Sequence, residues 1–160
     1  MRLPAATGAN ANLVGFWSGN GNAGDSTGHN PGTLVNGVSF AAGLNGQQAF
    51  SFNGTSYVQA GTQGLPTGNQ NRTLDLWFNE TSPIASESFL AGYGAFGSAN
   101  AAYELPLENG SPPGVVTFSQ WGGGFGGPTI QDGQWYNLAV TSSGNFATLY
   151  LNGALRANNE

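Results

Sequence analysis

Cysteine and lysine are both absent from the 160 residues, and charge of either sign is scarce, with three arginines and eight acidic residues. Without cysteine there are no disulfides, thiolate metal sites or cysteine nucleophiles. Arg2, Arg72 and Arg156 lie far apart and the net charge is −5. Nucleic acid is therefore excluded as a partner, because phosphate binding needs clustered basic residues. No apolar run approaches the length of a membrane span, so no membrane insertion is expected. Residues 1–12, MRLPAATGANAN, lack the apolar core of a secretory signal. No stretch of 12 or more residues repeats its hydrophobics at helical spacing, and 27 glycines oppose helices. So little charge leaves the surface to Gly, Asn, Ser, Thr and Gln, a composition that suits an extracellular, cell-surface or virion-surface protein.

What the chain does have is aromatic bulk and turn chemistry. Ten Phe, five Tyr and four Trp suffice for the core of one domain of this length. Six Asn-Gly pairs begin at Asn20, Asn36, Asn45, Asn53, Asn109 and Asn152. Asn-Gly tolerates positive φ at both centres of a tight hairpin. TLV-NG-VSF (33–40), AFSF-NG-TSYVQA (49–60) and NFATLYL-NG-ALRA (145–157) each read as a hairpin. RTLDLWFNE (72–80) alternates Leu74, Leu76 and Phe78 against Asp75, Trp77 and Asn79, a strand with one buried face. QWYNLAV (134–140) and GVVTF (114–118) are further strands, and WGGGFGGP (121–128) reads as a mobile hairpin loop. The fold expected is all-β, a sandwich or jelly roll.

Local motifs for catalysis are lacking. Glu104 and Glu108 share a strand face but stand roughly 13 Å apart, beyond the about 5–9.5 Å of glycosidase pairs. Asp75 and Glu80 point to opposite faces of a strand. The single histidine, His29, has no Gly-x-Ser-x-Gly elbow to serve, and zinc would need three or four nitrogen or sulfur ligands. If the chain were a polysaccharide hydrolase or lyase, Asp75, Glu80, Glu104 and Asp132 would be the acids to mutate. GDSTGHN (24–30) offers Asp25 and Asn30 either as an Asp-led turn or as oxygen ligands for calcium.

The order of these elements adds to this. LVGFWSGNGNAGDSTGHNPGTLVNGVSFAAGLNGQQAFSFNGTSYVQAG (13–61) resembles the opening of a laminin G-like domain of the concanavalin A-like lectin/glucanase fold. It has an aromatic strand at Phe16 and Trp17, an Asp-Ser-x-Gly loop, and an Asn-Gly turn after FSF. TLDLWFNE and GQWYNLAVTSSGNFATLYLNGALRA resemble later strands of the same family. Asn53 departs from its usual Asp, and TLDLWFNE lacks the Glu-x-Asp-x-x-Glu strand of the glycan-cutting relatives. The resemblance implies an antiparallel, concanavalin A-like jelly-roll β-sandwich over residues 12–160, preceded by a flexible segment, 1–11. It also implies a structural calcium held by Asp25 and Asn30, and no catalysis.

The function expected is non-catalytic glycan recognition, with Trp121, Phe125, Tyr93 and Tyr103 as the aromatics available to sugar rings. The alternative is a structural or adhesive module of a filament, adhesin or virion surface, its partner a neighbouring protein subunit. Family members continue past the final hairpin with strands that pair with the first. The domain is therefore expected to be incomplete at its C-terminal end, leaving residues 12–17 as an open edge for homo-oligomer formation.

Overall fold

The computed structural model describes residues 12–81, 87–95, 97, 101–108, 114–120 and 123–159. It divides into two compact units, Met1–Leu65 and Pro66–Glu160. Among the described residues every regular element is a strand except one 3-10 turn, Leu44–Gly46. No helix among them is long and apolar enough to cross a membrane.

The first unit carries a two-armed ribbon of four strands: β1 (Gly32–Val35), β2 (Ser39–Ala42), β3 (Gln48–Ser51) and β4 (Tyr57–Ala60). β2 pairs with β3, from Ser39 opposite Ser51 to Ala42 opposite Gln48. β1 pairs with β4, from Gly32 opposite Ala60 to Val35 opposite Tyr57. Two expected hairpins are thereby corrected, since neither Asn36-Gly37 nor Asn53-Gly54 joins strands that pair with each other. The turn at the ribbon's tip is Asn45-Gly46, both at positive φ. The other two pairs are corners in opposite arms, and they clasp: Asn36 Nδ2 donates to Thr55 O at 3.2 Å and Asn53 Nδ2 to Asn36 O at 3.1 Å. Each arm bends there, and its strand is split in two.

Residues 12–17 do not form the expected first strand. Among the described residues their only ladder contact is an isolated bridge from Trp17 to Asp25.

The second unit is a β-sandwich of two four-stranded antiparallel sheets. One runs β12–β11–β10–β5, from β5 (Arg72–Asn79), β10 (Trp135–Ser143), β11 (Phe146–Leu151) and β12 (Ala154–Asn158). The other runs β6–β7–β8–β9, from β6 (Ser88–Gly94), β7 (Ala102–Glu108), β8 (Val115–Gln120) and β9 (Gly123–Thr129). Here the period-two reading holds. Phe78, Leu138, Val140, Leu149 and Leu151 of the first sheet are buried with Tyr103, Leu105, Leu107, Val116 and Phe118 of the second. Burying each such side chain contributes roughly 1.5–3 kcal/mol. Trp77, on the opposite face of β5, is half exposed. The β11–β12 hairpin turns on Asn152 and Gly153, at φ 53° and 75°, the geometry that Asn-Gly favours.

The glycine-rich run is corrected from loop to strand over Gly123–Thr129; Trp121 and Gly122 lie outside the described residues. Its glycines are steric. A Cβ at Gly124 would collide with Phe118 O, and one at Gly127 would come to 2.8 Å from Val116 O. β9 therefore lies close against the backbone of β8.

Candidate functional site

Asp25 sits in a tight polar knot of the first unit. Its Oδ1 accepts hydrogen bonds from Phe16 N at 2.8 Å and Thr27 N at 3.0 Å. Its Oδ2 accepts from the Thr27 hydroxyl at 2.6 Å, Asn30 N at 2.9 Å and His29 N at 3.2 Å. Partial burial by itself would raise the carboxyl's pKa. The bonds from the Thr27 hydroxyl and the N–H groups of Phe16, Thr27 and Asn30 outweigh it and hold the group well below the ordinary carboxylate range.

Asn30, with no exposed surface, serves other partners. Its Oδ1 accepts from Gln63 N at 2.6 Å, and its Nδ2 donates to Gln63 O at 3.0 Å and Val14 O at 3.3 Å. Trp17 Nε1 donates to Asn30 O at 2.8 Å.

A calcium ion does not fit this donor set as it is arranged. Every group converging on Asp25 is itself a hydrogen donor, and the Asn30 oxygen is turned toward Gln63. No cluster of three ionisable ligands occurs among the described residues. The His29 ring is exposed, with Nδ1 3.3 Å from Thr27 Oγ1, and it is the residue's backbone that joins the knot.

The larger groove, about 610 Å³, belongs to the second unit and is lined by Thr67, Gly68, Asn69, Arg72, Tyr93, Gly94 and Ala101. Arg72 opens β5 and Tyr93 stands near the end of β6. Arg72 Nη1 donates to Pro66 O at 3.0 Å and to the Tyr93 hydroxyl at 3.1 Å, and Nη2 donates to Gly68 O. Tyr93 OH donates in turn to Pro66 O at 2.9 Å. The guanidinium carbon lies 4.5 Å from the Tyr103 ring centre and 5.9 Å from that of Tyr93, within cation–π range. Thr67 and Asn69 are exposed at the rim. At Gly94, φ 114°, a Cβ would run into Ala101 O, so the wall there is bare backbone.

A second groove, about 380 Å³, opens on the outer face of β7, β8 and β9, with Glu87, Glu108, Thr117, Ser119 and Phe125 among its lining. Thr117 Oγ1 donates to Glu108 Oε1 at 3.1 Å. Glu104, opposite Ser119 in the β7–β8 ladder, is 9% exposed. Burial, and then the charge of Glu87, push its carboxyl above the ordinary range.

Of the four aromatics expected to meet sugar, Tyr93 lines the larger groove, whereas Phe125 borders the smaller one but stands opposite Phe118 in the β8–β9 ladder, and its ring packs on that core residue at 5.4 Å. Tyr103 is corrected to a core residue. It is 1% exposed, with its hydroxyl 2.8 Å from Ser142 Oγ across the sandwich. Trp121 lies outside the described residues.

Of the remaining acids, Asp75 stands apart, while Glu80 and Asp132 are close enough to interact. Asp75 is exposed and accepts from Asn137 Nδ2 at 3.1 Å. Glu80 is raised by burial and then by the charge of Asp132. Reading the sequence alone missed Arg72, Thr67 and Asn69. The one available signal was an arginine, one of only three in the chain, opening a strand.

The laminin G-type model of the concanavalin A-like lectin/glucanases superfamily matches residues 52–160. Among solved structures the chain is similar to domain 4 of AbnA, a GH43 extracellular arabinanase from Geobacillus stearothermophilus, in complex with arabinotriose. The two are 22% identical, with a TM-score of 0.65 over 88% of this chain and 70% of that one. At that identity the likeness is one of fold. No curated protein matches the chain.

Proposed function

The chain belongs to the concanavalin A-like lectin/glucanases superfamily, and from that premise we propose that it is a non-catalytic glycan-binding domain working outside the cell, with the Tyr93 groove as its site. One observation carries the reading. A partly exposed tyrosine ring stands beside an arginine and a rim of Thr67 and Asn69, in a groove of a size that small ligands fill. Sugars are held by aromatic faces with a few convergent polar groups, and this groove supplies both. A fold neighbour in complex with arabinotriose supports the ligand class, and that enzyme's extracellular setting supports the location.

The test is a calorimetric titration across neutral and acidic oligosaccharides, arabino-oligosaccharides included. Binding by the unaltered chain that is lost in Tyr93→Ala, with the circular dichroism unchanged, is expected. Silence across the panel would refute the proposal.

A second reading rests on Glu104. A carboxyl raised by burial and by a facing carboxylate is the arrangement that glycoside hydrolases use for their acid. Against it, the Glu104 side chain is folded down over β6, its Cγ only 3.0 Å from where a Cβ on Gly92 would stand. A reducing-end assay on a polysaccharide panel separates the two, and release of sugar abolished in Glu104→Gln would establish the hydrolase.

A further inference from the structure

Among the described residues, Arg72 is a cation with no carboxylate paired to it. Its partners are the carbonyls of Pro66 and Gly68, the Tyr93 hydroxyl and the faces of two tyrosine rings, all of them neutral. Scarcity does not explain this, since the chain has eight acidic residues for three arginines. Neutral acceptors satisfy hydrogen bonds but leave the charge of a half-buried group uncompensated.

The guanidinium is also short of acceptors. It presents five N–H groups in a rigid fork. Two on Nη1 and one on Nη2 are engaged, which leaves one on Nη2 and the one on Nε. Nε is buried with no partner among the described residues. Because Nε is covered by protein, the N–H left to meet a ligand is the one on Nη2, and a charge-assisted bond from it is the kind that holds a carboxylate oxygen. The group lines the same groove as the Tyr93 ring, the Thr67 hydroxyl and the Asn69 amide.

Building on the glycan reading of this groove, we infer that its ligand is an acidic glycan, with the carboxylate of a uronic acid unit seated on Arg72 and the sugar ring against Tyr93. The smaller groove, lined by Glu87 and Glu108 with Glu104 alongside, repels such a ligand and leaves the larger one to receive it.

The experiment titrates the unaltered chain at pH 7 with an oligogalacturonate and with its fully methyl-esterified form of equal length. The free acid is expected to bind at least tenfold more tightly. Arg72→Gln should bring the two forms to parity, Arg72→Lys should retain part of the preference, and Tyr93→Ala should weaken both.

Because Arg72 also ties residues 66–68 to β6, the acid-against-ester comparison on the unaltered chain is decisive without any variant. Equal binding, or preference for the ester, overturns the inference and leaves the glycan reading standing. So does a chain that binds only neutral oligosaccharides, or one that prefers a sulfated oligosaccharide. If no sugar binds, both fail. Polyglutamate bound as tightly as the uronate would move the ligand from glycan to protein and overturn the inference too.

Discussion

Replacing Asp25 by Asn keeps the side chain's shape and alters only which atoms accept. A carboxamide offers one accepting oxygen and one donating nitrogen. In the folded protein both carboxylate oxygens accept, Oδ1 from the N–H groups of Phe16 and Thr27, Oδ2 from those of His29 and Asn30 and from the Thr27 hydroxyl. Whichever way the amide is turned, two backbone N–H groups face another N–H. One of each pair, Thr27 N or Asn30 N, makes its bond in a part-buried setting where water is a poor substitute.

Leaving such a donor unsatisfied costs about 1–3 kcal/mol, so Asp25→Asn should lose about 2 kcal/mol and Asp25→Ala somewhat more. That is a sizeable part of the roughly 5–15 kcal/mol by which whole proteins are stable. Denaturant unfolding measures the loss, and hydrogen exchange of a peptide spanning 14–30 locates it.

The sign of the pH effect is fixed. The folded carboxyl holds its proton less tightly than the unfolded one, whose value is 3.8. The charge therefore contributes fully above that value, and its contribution is lost as pH falls below it toward the folded value. The unaltered chain should weaken in that acid window more than Asp25→Asn does. Its melting temperature should not move on adding calcium or a chelator. An Asn variant within about 0.5 kcal/mol of the original, near the noise of surface substitutions, or a melting temperature raised by calcium, would refute the reasoning.

Three further outcomes follow from the second unit. Tyr103→Phe removes a hydroxyl bonded to Ser142 Oγ and Val140 O in the core; it should cost about 1–2 kcal/mol in denaturant unfolding while leaving sugar binding intact, the reverse of Tyr93→Ala. Gly124→Ala should lower the melting temperature sharply because of Phe118 O, whereas Gly126→Ala, with open space around it, should lower it little. Glu104 holds its proton more tightly folded than unfolded, so its burden on stability is absent in acid and grows as pH rises through 4.5 toward the folded value. Glu104→Gln should be the more stable protein at pH 7, with that decline removed.

The strands that bury one face were legible because burial imposes a period of two. In RTLDLWFN and FATLYLN that period placed Leu74, Leu76, Leu149 and Leu151 inward before any partner was known. Which strand pairs with which was not legible. The Asn-Gly pairs at 36, 53 and 152 look alike in sequence, yet only the last closes a hairpin, because the first two spend their side-chain amides on each other's corner. β9 was hidden because glycine erases the side chains by which a strand announces itself, and the reason for the glycine lies on β8. The groove was half legible. Tyr93 stood out as an aromatic, but Thr67, Asn69 and Arg72 gain meaning only when β6 reaches the turn before β5. Tyr103 was misassigned although the alternation that turns Glu104 outward turns its neighbour in.

The clasped corners also bear on how the ribbon can assemble. Bringing Val35 to Tyr57 in an otherwise free chain means closing a loop of 21 residues. Once the short tip at Asn45-Gly46 has drawn β2 onto β3, only residues 36–38 and 52–56 stay loose between the paired segments. Loop entropy rises with the logarithm of length, so the outer pairing is cheaper by roughly 1 kcal/mol when it comes second. A ladder that sequence separation alone would class as long-range thus becomes two short closures in succession, running from the tip outward.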